Sequence, residues 1–151
     1  VVAGDGPLRA ELEQRAAALP QGAVQLLGER RDVARLLAAA DVCVLPSHSE
    51  GLPLALVEAH GAARASLAFD VGGNGEVIVD GRTGRLVPAG DLPGLGRALA
   101  ELLADPAAAA ALGVAARERF LAEFTHERMV ACYVELYRAL RDGALRDRRS
   151  A

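Results

Sequence analysis

Two glutamates eight residues apart are the side chains in this sequence whose types and spacing could do chemistry. Glu50 lies in a segment typical of a loop, and Glu58 lies inside a helix that is predicted to begin at Pro53. The first turn of a helix presents unpaired backbone N–H groups and the positive end of the helix dipole, which together suit an anion such as a diphosphate. Pro53 has no N–H to donate. The donors that remain are the amides of Gly51, Leu52, Leu54 and Ala55.

The two carboxylates fit the hydroxyl groups of a nucleotide and a sugar. Glu58 could accept two hydrogen bonds from a ribose, and Glu50, on the loop, could accept them from sugar hydroxyls. The simpler alternative is that both are solvated surface glutamates. Glu58 lies between Val57 and Ala59 in an otherwise apolar helix, where a buried charge needs a partner. We therefore expect its carboxylate to be hydrogen-bonded or to lie beside a cleft.

The elements that must position these residues follow from short apolar runs that alternate with helical periodicity over the first 90 residues. Predicted strands cover residues 1–3, 23–27, 42–45, 66–69 and 85–87. This alternation predicts an α/β fold with a parallel sheet flanked by helices on both faces. Ligands bind beyond the carboxyl ends of such strands, which are followed here by the loops 28–32, 47–53 and 70–76. We expect the strand ends at Gly28, Pro46 and Asp70 to lie side by side.

Helix starts are marked by capping residues and prolines. Asp91, Asp105 and Thr125 are predicted N-caps of the three helices that follow residue 90. Pro7 and Asp32 are expected to open two earlier helices. The last helix carries an apolar face made of Met129, Tyr133, Leu136, Tyr137 and Leu140.

The domain organisation is simple. We expect one domain over residues 1–141, followed by a frayed polar tail over residues 142–151. The chain opens inside a predicted strand with nothing before it. We therefore expect that the domain lacks its first strand–helix unit and that the sequence is a fragment of a longer protein.

Length and composition limit the functions available. The 151 residues suit one domain, and 52% of them are hydrophobic. A net charge of −3 and an aromatic content of 3% without Trp argue against a nucleic-acid binder. No apolar run approaches the 18 or so residues of a membrane span and no leader is visible, so we expect a cytoplasmic protein. The two Cys and three His lack metal-ligand spacing, so we expect no metal site.

Six short motifs occur in one order along the chain. They are Gly4-Asp5-Gly6-Pro7-Leu8, the turn Leu27-Gly28, the strand entry Asp41-Val42, the pair Glu50…Glu58, the loop Asp70-Val71-Gly72-Gly73-Asn74, and Asp80-Gly81-Arg82-Thr83-Gly84-Arg85-Leu86-Val87-Pro88. In this order they resemble the C-terminal, donor-binding half of the retaining glycosyltransferases of family 4. Those enzymes have two Rossmann-like domains in the arrangement called GT-B. The resemblance covers about residues 1–140.

The resemblance implies a nucleotide-sugar site. It assigns Glu50 to the donor sugar, as the candidate catalytic residue, and the amides of residues 51–55 to the sugar and diphosphate. It assigns Glu58 to the ribose and the segment after the second strand to the base. The base-binding candidates are Gly28, Arg30 and Asp32. It also implies that no metal or other cofactor is needed.

The whole enzyme implied by the resemblance transfers a hexose-type sugar to an acceptor glycan or lipid. The acceptor would bind to an N-terminal domain, with no nucleic acid involved, and peripheral membrane association is left open. We expect the chain by itself to be inactive, because catalysis would require both halves of the cleft.

Departures from the family pattern keep two alternatives open. The family's diphosphate-binding Arg and Lys would precede Val1, and the segment 59–70 has His60 for Met, Ala63 for Gly and Phe69 for Thr. We expect Phe69 to add bulk facing the site and His60 to lie on the surface or to be partly buried. One alternative is a non-catalytic binding or scaffold domain that has lost the donor. The other is a GT-B sugar-nucleotide epimerase, although the glutamate pair and residues 80–84 favour a transferase.

Overall fold

The computed structural model describes residues 1–142, and the rest of the predicted tail lies outside them. Strands and helices alternate as predicted. The elements are β1 Val2–Ala3, α1 Arg9–Ala17, β2 Leu26–Gly28, α2 Val33–Ala39, β3 Val42–Leu45, α3 Leu54–Gly61, β4 Ala65–Phe69, α4 Asn74–Val77, β5 Gly84–Val87, α5 Leu92–Ala104, α6 Pro106–Glu123 and α7 His126–Arg141. The α/β, Rossmann-like class is confirmed.

The chain divides into two compact units, Val1–Leu36 and a second unit that begins at Leu37. In the first unit, β1 and β2 pair in parallel. In the second unit, β4 lies between β3 and β5, and both pairings are parallel. The described strands thus form two parallel sheets, where the sequence predicted one. The register sets Leu45 beside Ala68, so the chain leaves β3 and β4 at the same edge of this sheet. The predicted neighbourhood of Pro46 and Asp70 is therefore confirmed, whereas that of Gly28 stays a prediction.

The core of the second unit is built on both faces of β4, whose five residues are all buried. Alternate side chains of a strand point to opposite faces. On one face Ala65, Leu67 and Phe69 pack with residues of β5, α5 and α6. On the other face Ala68 packs with residues of α3 and α4 and with Ile78. Phe69 is 1% exposed and belongs to this core, and the expectation that its bulk faces the site stays a prediction.

Three predicted helix caps are confirmed. Asp91 accepts a hydrogen bond from the amide of Gly94, and Asp105 accepts one from the amide of Ala108, each at 2.9 Å. Thr125 accepts one from the amide of Arg128 at 3.2 Å.

Some predicted boundaries differ from those of the structure. The first helix begins at Arg9 rather than at Pro7. The strand predicted over 23–27 is β2 at Leu26–Gly28. Residues 74–77, predicted in part as loop, form the single helical turn α4. The reason is a side chain, because Asn74 Nδ2 donates to the carbonyl oxygen of Phe69 at 2.8 Å and holds the turn at the end of β4.

The helix α7 exposes its predicted apolar face. None of its residues is buried, and Tyr137, for example, is 65% exposed. Within residues 1–142 no single helix is long and apolar enough to cross a membrane. The pair Leu92–Ala104 and Pro106–Arg141 passes that test only when its two parts, bent by 101° at the break, are taken together and judged by length and composition.

Candidate functional site

The helix α3 begins with unpaired amides at the edge where β3 ends. Pro53, in an extended conformation, is its N-cap and contributes no side-chain hydrogen bond. The carbonyl oxygen of Pro53 accepts from Leu56 at 3.0 Å and from Val57 at 3.2 Å. Leu54 and Ala55 precede the first bonded amides and are exposed. Their N–H groups form the anion-binding geometry expected of an uncapped helix start.

One face of α3 continues from these amides to the second glutamate. Leu54 and Glu58 are four residues apart, and both are exposed. Within the part of the chain that the structure describes, the Glu58 carboxylate makes no hydrogen bond or ion pair, so the expected bond to a protein partner is not found. The other sides of α3 bury Leu56, Val57 and His60, which turns Glu58 outward.

The charge of Glu58 acts on β3. Burial, and then the negative charge of Glu58, raise the pKa of the Cys43 thiol. Cys43 is a free cysteine on the strand that leads into the 47–52 loop.

Glu50 lies in a loop that touches the next loop backbone to backbone. Gly73 donates its N–H to the Glu50 carbonyl oxygen at 3.3 Å. A Cβ built on Gly72 would collide with the Glu50 carbonyl oxygen and would lie 3.0 Å from its carbon. A Cβ on Gly73 would collide with the carbonyl oxygen of Gly51. The sequence predicted a loop at 72–75 but did not reveal this contact, since a Gly-Gly pair is typical of any flexible loop.

A ring stack borders the same edge. His48 lies 6.4 Å from Phe69, centroid to centroid, with an interplanar angle of 22°. His48 is exposed, as predicted for a loop histidine, and Phe69 is buried beneath it. The bulk at the end of β4 therefore supports the 47–52 loop.

His60 is completely buried, so the prediction of a surface or partly buried histidine is wrong. Neither ring nitrogen has a hydrogen-bond partner within residues 1–142. Burial, and then the positive charge of Arg119, lower the pKa of His60 to about 4. The ring is therefore neutral near pH 7 and serves as a packing group between α3 and its neighbours.

The base-binding candidates belong to the first unit. Gly28 has a φ of +68°, in the left-handed region that favours glycine, and its carbonyl oxygen accepts from the amide of Gly4 at 2.8 Å. Arg30 donates two hydrogen bonds to Asp32, each at 2.8 Å. This pairing lowers the pKa of Asp32 and occupies the carboxylate that was expected to cap α2.

The groups available to a ligand are therefore the backbone N–H groups at the start of α3 and the carboxylates of Glu50 and Glu58. Within residues 1–142, no three His, Cys, Asp or Glu side chains are grouped as metal ligands. Two cavities of the second unit, of about 430 and about 240 Å³, have α6 in their walls and none of the predicted site residues. The arrangement at the strand ends is an open surface suited to a phosphate with hydroxyl-bearing groups on either side.

Comparison with known proteins points the same way. A sequence profile of the family described as glycosyl transferases, group 1, matches residues 1–105. The alpha-maltose-1-phosphate synthase of Mycolicibacterium smegmatis is 43% identical over 112 residues, which are 70% of this chain and 29% of that protein.

Solved structures share the fold. Sucrose-phosphate synthase from Thermosynechococcus elongatus matches with a TM-score of 0.82 and 34% identity, over 93% of this chain and 37% of that one. Anabaena Alr3699/HepE in complex with UDP-glucose matches with a TM-score of 0.80 and 24% identity, over 93% and 40%. The chain thus spans less than half the length of each of these proteins.

Proposed function

Because the chain belongs to the group 1 glycosyl transferases, we propose that it forms the donor-binding half of a GT-B glycosyltransferase. The enzyme transfers a hexose-type sugar from a nucleotide-sugar to a glycan or lipid acceptor, and the anomeric configuration is retained. The observation that carries the proposal is the face of α3, where the free amides of Leu54 and Ala55 lie between Glu50 on the preceding loop and Glu58 one turn further along.

Each group on this face has a role. The amides of Gly51, Leu52, Leu54 and Ala55 hold the diphosphate and stabilise the negative charge that grows on it as the sugar leaves. Glu58 accepts hydrogen bonds from the ribose hydroxyls, and Glu50 orients the sugar. The resemblance assigns the base to Gly28, Arg30 and Asp32, which belong to the first unit. Since backbone donors supply the electrostatic stabilisation, we expect neither a metal ion nor another cofactor to be required.

The relatives support this assignment without naming the substrates of this chain. The synthases from Mycolicibacterium and Thermosynechococcus bear names of sugar-phosphate products, and the Anabaena protein of the same fold was crystallised with UDP-glucose. We place the acceptor on a second domain, the protein in the cytoplasm, and any membrane contact at the periphery.

Calorimetry tests the proposal. The intact protein is titrated with UDP, ADP and GDP and with their glucose conjugates, in the presence of EDTA. We expect one nucleoside diphosphate and its conjugate to bind without a divalent cation. Failure of every nucleotide to bind would support a non-catalytic scaffold domain. Conversion of a nucleotide-sugar into its epimer without an acceptor would support an epimerase.

A further inference from the structure

The backbone of residues 72–73 lies in close contact with the backbone of residues 50–52. Resting on the proposed function, we infer that Gly72 and Gly73 are positioning residues for donor-sugar recognition. Their close backbone contact fixes the position of the segment that carries Glu50 and the Gly51 amide. They act through that segment and touch no substrate themselves.

The first step of the argument is how closely the two backbones lie. Besides the collisions with carbonyl oxygens, a Cβ on Gly73 would lie 2.9 Å from the Gly51 carbonyl carbon and 3.5 Å from Leu52 Cα. A Cβ on Gly72 would lie 3.2 Å from the Glu50 nitrogen. The obstacles are backbone atoms, which cannot rotate aside as a side chain can. Any side chain at these two positions must therefore push residues 50–52 away.

The second step is that the 47–52 segment has little else to hold it. Within the described residues, its one hydrogen bond is the bond from Gly73 to the Glu50 carbonyl oxygen. The 47–52 segment is also supported by the stacking of His48 on Phe69. The position of the 47–52 segment therefore depends on its contact with residues 72–73.

The third step is that the supporting segment is fixed. Asp70 donates its N–H to the carbonyl oxygen of Val87 at 2.7 Å, which extends the sheet beyond the end of β4. Asn74 is 0% exposed, and its side-chain amide donates to the Phe69 carbonyl oxygen. Its backbone carbonyl oxygen accepts a hydrogen bond from the amide of Ile78 at 2.8 Å. Because residues 70–74 are fixed and residues 47–52 are loosely held, the former set the position of the latter.

The chain offers a matched pair of variants. Gly73 has a φ of −79° and a ψ of 4°, which any residue adopts, so Gly73→Ala changes only the contact with residues 51–52. At Gly75 a Cβ would make ordinary contacts, 3.7 Å to Asp70 Oδ1 and 4.0 Å to Leu86 Cδ1. Gly75→Ala is therefore the control, with the same substitution two residues away.

The ligand measurement uses the nucleoside diphosphate and glucose conjugate that bind the intact protein best. We expect Gly73→Ala to weaken binding of the conjugate by about tenfold and binding of the nucleoside diphosphate by less than about twofold. Gly75→Ala should change neither. In the background of Glu50→Ala, the further loss caused by Gly73→Ala should be small, because both changes affect one interaction.

Hydrogen exchange of the unliganded protein gives an independent result. Residues 48–54 should exchange faster in Gly73→Ala and at the native rate in Gly75→Ala. If Gly73→Ala does not fold, Asn74→Ala replaces it, since loss of the bond to Phe69 loosens the support without a collision. The same split between conjugate and diphosphate is then expected.

The outcomes separate the two proposals. If Glu50→Ala leaves binding of the conjugate intact, the proposed function is wrong. If Glu50→Ala weakens it and Gly73→Ala does not, the positioning role alone is wrong. Equal losses for the conjugate and the diphosphate in Gly73→Ala, or unchanged exchange over residues 48–54, would also overturn the positioning role.

Discussion

Glu58 and His60 are two residues apart on α3 and lie in opposite surroundings. A separation of two residues turns a helix through more than half a circle, so one side chain meets solvent and the other meets the core. Glu58 is exposed, and within residues 1–142 its carboxylate makes no hydrogen bond or ion pair. His60 is 0% exposed and neutral. The two residues accordingly predict different measurements, ligand affinity for the first and pH-dependent stability for the second.

Substitution of the two glutamates should separate nucleotide binding from sugar recognition. Glu58→Ala is expected to weaken binding of the nucleoside diphosphate itself, because the ribose is present in both the product and the donor. Loss of a charged hydrogen-bonding partner costs about 1.5–3 kcal/mol, or roughly tenfold to hundredfold in affinity. In the full-length enzyme, Glu50→Ala should mainly reduce sugar transfer. Calorimetry with the diphosphate checks this, and equal losses for both variants would contradict the assignment.

Acid should destabilise the protein through His60. Its pKa falls from 6.5 in the unfolded chain to about 4 in the folded protein, so between these values the unfolded state binds more protons. Stability from this group is complete above pH 6.5 and is lost as the pH falls toward 4, by up to about 3 kcal/mol.

Urea unfolding of the wild type and of His60→Met between pH 7.5 and pH 4 measures this effect. The variant should lose less stability across the range, because Met carries no proton-binding group. His126→Ala is the control, since it also removes an imidazole but at an exposed position. Parallel profiles for the wild type and His60→Met would contradict the prediction.

At the scale of elements, the turn between α3 and β4 combines backbone strain with close packing. Ala63 has a φ of +56°, the one non-glycine residue of the described chain in the left-handed region. A Cβ added to Gly113 of α6 would collide with the Ala63 carbonyl oxygen, so α6 and this turn are in backbone contact. The family resemblance implies Gly at this position, and the turn has the conformation that glycine adopts freely.

Ala63→Gly should therefore stabilise the protein. A non-glycine residue in this region costs about 1–3 kcal/mol, whereas glycine adds roughly 0.5–1 kcal/mol of entropic cost in the unfolded chain. We expect a net gain of about 1 kcal/mol in the free energy of unfolding. The control is Ala62→Gly, where φ is −89° and the same entropic cost is not offset. Denaturant unfolding of both variants measures the difference, and a loss of stability in Ala63→Gly would contradict this account.

At the scale of the whole molecule, burial is uneven between the strands. All five residues of β4 are buried and hydrogen-bonded strands lie on both sides of it. In the first unit both residues of β1 are exposed, and of β2 Gly28 alone is buried. Local opening requires the least free energy where few apolar contacts must be broken.

Native-state hydrogen exchange should follow this difference. The amides of β4 are expected to exchange slowest and to report global unfolding, whereas those of β1 should exchange through local opening at a lower free energy. Leu67→Ala, in the core of β4, should bring the protection of β4 down by about 2–5 kcal/mol. Equal protection of β1 and β4 would contradict the prediction.

The sequence by itself determined the order of strands and helices, their parallel pairing, three helix caps and the family. These properties depend on local periodicity, on capping chemistry and on the spacing of motifs, all of which are properties of neighbouring residues. The assignment of Glu50, Glu58 and the amides of Gly51, Leu52, Leu54 and Ala55 to a donor site is implied by the family resemblance and stays a prediction.

The tertiary structure decided what depends on residues far apart in the chain. It buried His60, which the sequence indicated to lie on the surface or to be partly buried. Within residues 1–142 it left the Glu58 carboxylate without a hydrogen bond or ion pair, and it set Gly72 and Gly73 against Glu50 and Gly51. Side-chain burial and backbone contact depend on which elements pack together. A short stretch of sequence does not show which atoms of other elements will pack against it.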